Sequence, residues 1–75
     1  MIYFKIDVVA ELKKRGWSSY RLKNEGIMGT QTLANIKAGK TINTDTLNSL
    51  CCILRCQPSD IIECRITDGE KIKFF

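Results

Sequence analysis

Three glycines, Gly16, Gly26 and Gly39, divide the first half of the chain into segments with room for little more than short helices. Glycine ends helices because it enters the left-handed region without steric cost. Before Gly16, the residues Ile6, Val9, Ala10 and Leu12 recur at helical spacing. Lys13, Lys14 and Arg15 fill the last turn, where positive charge complements the helix dipole. Before Gly26, Ser18 can accept backbone N–H groups as an N-cap, and Trp17 just outside it can pack back toward Leu22. After Ile27 and Met28, Gly29 can cap a third helix running from Thr30 to Ala38, with Leu33 and Ile36 facing inward.

The second half begins with better-marked boundaries. Asn43 is suited to an N-cap, Asp45 lies in the first turn, and Leu47, Leu50, Cys51 and Leu54 form an apolar stripe on a fourth helix. Gln57-Pro58-Ser59-Asp60 opens a short fifth helix, with proline at its first position and Ile61 and Ile62 turned to the core. Beyond Glu63 the pattern reads as a β-hairpin over about 63–75, with Asp68-Gly69 as a two-residue turn. Such a hairpin is marginal alone, and Ile2-Tyr3-Phe4 can form a further short strand to support it. The 75 residues are expected to form one domain spanning 1–75.

Charge narrows the functional classes. The net charge is +4, and residues 13–40 hold more than all of it, because Glu25 is the one acid among Lys13, Lys14, Arg15, Arg21, Lys23, Lys37 and Lys40. A basic block of this kind suits a polyanionic partner. No apolar run approaches the roughly 20 residues of a membrane span, and the start lacks the pattern of a secretory leader. The protein is therefore expected in the cytoplasm, associated with the nucleoid. Cys51, Cys52, Cys56 and Cys64 contain no C-x-x-C pair and the chain has no histidine, so reduced thiols are expected rather than zinc or disulfides. No metal, cofactor or small-molecule substrate is expected. Enzymatic function is not expected either, since there is no glycine-rich phosphate loop and no nucleophile spaced beside a base.

The segment at about 18–38 has the layout of a helix-turn-helix, in which a bracing helix holds a second helix against base edges. Leu22, Met28, Leu33 and Ile36 are the inward positions. On the second helix, Gln31 and Asn35 carry amides able to pair with adenine N6 and N7, and Thr30 can bond a base edge or meet a thymine methyl. These three are the expected base-reading residues. No carboxylate lies on that helix, although protein surfaces ordinarily mix both signs.

From Phe4 to Glu63 the chain resembles the Cro/C1-type (Xre-like) helix-turn-helix regulators. The resemblance rests on the helix-turn-helix segment with Gly39-Lys40 behind it and on Asp45-Thr46-Leu47-Asn48-Ser49-Leu50-Cys51. Its most specific part is Leu54-Arg55-Cys56-Gln57-Pro58-Ser59-Asp60-Ile61-Ile62-Glu63. It implies a mainly α, five-helix, lambda-repressor-like DNA-binding domain, here with short terminal β-strands, acting as a homodimer on operator DNA to regulate transcription, most often by repression. By the same resemblance Ser18, Ser19, Lys37 and Lys40 match phosphate-contacting positions, and Arg21 and Lys23 are added as basic neighbours. Lys23 and Ser19 depart from the family's usual Ala and Gln, and the tail beyond Cys64 is not covered.

A competing expectation is a protein-interaction or antitoxin-like module of the same fold, using the C-terminal hairpin as an open β edge. Ile66, Ile72 and Phe74, with Phe75 beside them, are the expected dimer or sheet contacts in either case.

Overall fold

Each of the first four helices starts at the residue whose backbone or side chain suits its first turn. The computed structural model describes residues 1–75. In chain order it contains β1 (Ile2–Phe4), α1 (Val8–Lys14), α2 (Ser19–Asn24), α3 (Thr30–Lys37), α4 (Thr44–Leu54), α5 (Pro58–Ile61), β2 (Ile62–Cys64) and α6 (Asp68–Phe74). Asp7 caps α1 by accepting from the Ala10 N–H, Ser18 caps α2 through Arg21, and Asn43 caps α4 through Thr46. Gly29 caps α3 with backbone alone. Gly16, Gly26 and Gly39 all adopt positive φ, so the three expected stops are left-handed turns, and Arg55 at the end of α4 is a fourth left-handed residue.

The core is entirely apolar. Val8 and Leu12 come from α1, Leu22 from α2, Met28 from the turn, Leu33 and Ile36 from α3, Leu50 and Leu54 from α4, and Ile61 from α5. No polar side chain is buried and no buried polar atom lacks a partner. The buried face of α1 is Val8 and Leu12, with Ile6 and Val9 only packed at its margin. The helix begins at its Asp7 cap, which sets the i, i+4 pair inward.

The fold is mainly helical with short terminal strands, in agreement with the sequence. The tail differs in detail. The hairpin expected at about 63–75 is absent: β2 pairs antiparallel with β1 in the register Ile2↔Cys64, Tyr3↔Glu63 and Phe4↔Ile62. Residues 68–74 form a sixth helix instead. Asp68-Gly69 lies within the first turn of that helix. Thr67 Oγ1 accepts from the Glu70 N–H, and the Glu70 carboxylate accepts from the Thr67 N–H, each at 3.1 Å. This T-x-x-E capping box satisfies two otherwise unpaired donors, and it outweighs the turn preference of Asp-Gly.

Candidate nucleic-acid interface

The turn between α2 and α3 is closed by one carbonyl. Leu22 O accepts from both the Ile27 N–H at 3.0 Å and the Met28 N–H at 3.3 Å. Leu22 and Met28 are buried, so the turn is clamped to the core from beneath. With Leu33 and Ile36 also buried, the helical period turns Thr30, Gln31, Ala34 and Lys37 outward. Asn35 is half-buried at the margin of this face.

Gln31 and Asn35 meet there. Gln31 Nε2 donates to Asn35 Oδ1 at 3.0 Å. The bond uses one amide hydrogen of Gln31 and leaves the other hydrogen and Oε1 free. Bidentate recognition of adenine uses the amide oxygen together with the hydrogen on its own side of the amide. The bond restricts the Gln31 amide, Oε1 makes no bond within the chain, and Asn35 keeps its own Nδ2 as a donor. Thr30 is exposed one residue earlier on the same helix.

Around these groups the surface is cationic. Ser19, Lys23, Thr30, Leu33, Ala34 and Lys37 line a shallow groove between α2 and α3. Lys40 lies just past α3 and is tied to it, since its N–H donates to Asn35 O at 2.9 Å while Gly39 N–H donates to Ile36 O. Neither Lys23, Lys37 nor Lys40 has an ion-pair partner. Ser18 is exposed at the start of α2, and Ser19 is half-buried.

Arg21 is held differently from the lysines. Its Nε donates to Glu25 Oε2 at 3.1 Å, its Nη1 donates to Gly16 O at 3.1 Å, and its guanidinium lies 3.9 Å from the Trp17 ring centroid. The one acid of the basic block is thereby neutralised, and the α1–α2 turn is braced. The spacing Trp17, Arg21, Glu25 (i−4, i, i+4) is the sequence signal for this clamp, which the reading of Arg21 as a phosphate contact passed over.

The remaining chemistry-bearing residues are dispersed. Cys51 and Cys56 are half-buried against the core, whereas Cys52 and Cys64 are exposed. Burial, reinforced by the neighbouring Cys51 thiol, pushes the Cys56 thiol above its ordinary range and keeps it protonated. No three Cys, Asp or Glu side chains converge on a point a metal could occupy. Ile66, Ile72 and Phe74 lie outside the sheet and are exposed, so they are not sheet contacts.

Two short helices closed by a tight turn, the second turning a polar, acid-free face outward, define a helix-turn-helix. A sequence profile of the Cro/C1-type helix-turn-helix DNA-binding domain matches residues 8–65, and the chain belongs to that family. No characterised protein and no solved structure shows a significant match. No helix is long and apolar enough to cross a membrane.

Proposed function

We propose that the protein is a sequence-specific transcriptional regulator that binds double-stranded operator DNA in the major groove, as a cytoplasmic, nucleoid-associated homodimer. Its default action is repression, because occupancy of a promoter is enough to exclude other proteins from it. The observation that carries this reading is the Gln31–Asn35 pair: two exposed-face amides joined by one hydrogen bond, with Gln31 Oε1 unpaired, on a helix face without carboxylates.

In this reading Thr30, Gln31 and Asn35 supply sequence preference. Ser18, Ser19, Lys23, Lys37 and Lys40 set the domain on the phosphates. Arg21 belongs to the bracing of α2, since a phosphate would have to compete with Glu25, Gly16 and Trp17 for it. The interaction-module reading loses its footing, because the hairpin edge it relied on is a helix.

Selection of bound sequences from a random duplex pool tests the proposal. The expected result is a pair of related half-sites with centres roughly 10 bp, or one turn, apart. Recovery of unenriched sequences, bound no better than random DNA, would overturn it.

A further inference from the structure

The sheet and the start of α4 do not close fully on each other. β1 pairs with β2 in the register Ile2↔Cys64 and Phe4↔Ile62, and alternation along the strands puts Ile2, Phe4 and Ile62 on one face of the sheet. These three line a partly open cavity of about 190 Å³ together with Ile42, from the α3–α4 connection, and Leu47, in the first turn of α4. Phe4, Ile42, Leu47 and Ile62 pack against the core, yet none of them is buried. Each keeps one side for the core and leaves another open to the cavity.

Size and charge define what fits. An apolar cavity of roughly 150 Å³ stays dry and takes up benzene. Pockets for drug-sized ligands begin at about 300 Å³. A space between these limits suits a single ring with a short substituent. Lys40 is the one charged residue lining the cavity, and it has no ion-pair partner. Asp45 and Glu63 adjoin lining residues in sequence but do not line it themselves, and Glu63 is held by Arg65 at 2.6 Å. Thr41 and Thr44 add exposed hydroxyl donors. We propose that the cavity binds a small aromatic carboxylate, its ring between the sheet and α4 and its carboxylate on Lys40.

Occupancy reaches the cationic surface through the same lysine. The Lys40 N–H donates to Asn35 O at 2.9 Å, so the residue is fastened to the end of α3. A carboxylate on its ammonium competes with a phosphate for one cation. The bound molecule is therefore an effector that loosens the grip on DNA, and by linkage DNA loosens the grip on the effector equally. This consequence rests on the reading of Lys40 as a phosphate contact. The cavity and its charge do not.

Titration of the full chain with phenylacetate, followed by backbone amide NMR shifts without DNA, tests the site. Saturable shifts are expected at residues 2–4, 39–44, 47 and 62. Phenylacetamide has the same size without the charge and is expected to bind about fivefold more weakly. Lys40→Met, at an exposed position, is expected to bind the two alike. Leu47→Phe is expected to fill the cavity and abolish the saturable shifts, with thermal unfolding establishing that the fold is kept. Should that variant not fold, the phenylacetamide and Lys40→Met comparisons decide. Phenylacetate is also expected to weaken duplex binding about fivefold relative to acetate at the same concentration, and Lys40→Met to remove that difference. Four results overturn the site: no saturable shifts, shifts spread over α2 and α3 as an anion on the basic face would give, phenylacetamide binding as tightly, or folded Leu47→Phe binding like wild type. A filled cavity with unchanged duplex binding overturns the effector role. The DNA reading fails separately, since a protein that fills its cavity but binds no duplex counts against the regulator, not the cavity.

Discussion

α3 and α6 are short helices of nearly equal length with opposite arrangements. In α3 the apolar residues Leu33 and Ile36 go to the core, and Thr30, Gln31 and Lys37 go outward. In α6 the inward contact is polar, Glu70 to Met1, and the outward residues include Ile72 and Phe75. The first arrangement anchors a helix by its apolar side and leaves polar and cationic groups outward. The second gives a helix with little tertiary support of its own. Two helices of the same size are thus held in opposite ways, α3 by buried apolar side chains and α6 by a polar contact.

The largest effect that should separate the two helices is on stability. Leu22→Ala removes a fully buried side chain beneath the turn that sets α3, and should cost about 2–5 kcal/mol in denaturant unfolding. Ile72→Ala should leave the unfolding of the monomer within about 0.5 kcal/mol of wild type. Equal losses at both positions would erase the contrast. Gln31→Ala should cost about 1–3 kcal/mol at a selected site and relax preference at one base pair, measured by titration against cognate and random duplexes. An equal loss on both would remove Gln31 from base reading.

Smaller effects sharpen the comparison. Lys40→Ala should weaken binding to all sequences alike and flatten the salt dependence by about one unit of slope. An unchanged slope removes Lys40 from the phosphate contacts. The smallest effect is confined to α6. The Met1 ammonium, aided by the Thr67 N–H and hydroxyl, lowers the Glu70 carboxyl from its ordinary 4.5 to about 2. A lowered carboxyl pKa contributes stability above the ordinary value that is lost as pH falls through the lowered one. Amide exchange of α6 should therefore accelerate as pH falls from about 4.5 toward 2, relative to α3. Parallel behaviour of the two helices across that window would show that Glu70 does not hold α6.

Much of the helical part was legible because its signals are local. Ser18, Gly29, Asn43 and Pro58 mark helix starts, and Gly16, Gly26 and Gly39 mark stops, through interactions that span only a few residues. The inward positions Leu33 and Ile36 follow from period on α3, and with them the outward position of Thr30 and Gln31. The tail misled because two local signals competed. Asp-Gly favours a hairpin turn, whereas Thr67 with Glu70 favours a helix start, and alternation in Glu70-Lys71-Ile72-Lys73-Phe74 fits either period. Strand β2 does form, but its partner lies at the other end of the sequence. The site was less legible than the fold. The i, i+4 spacings of Gln31 with Asn35 and of Arg21 with Trp17 and Glu25 carried a signal for both contacts that was passed over, whereas the bond from Arg21 to Gly16 O closes only in space.

By itself the sequence determined where α2 to α5 begin, where α1 to α3 stop and where positive charge collects, because caps and charge act over one or two turns. Tertiary structure alone decided that β1 pairs with β2 and that α6 stands clear of the core. Those outcomes depend on which distant surfaces reach contact first and bury the most apolar area, and no local pattern encodes that competition.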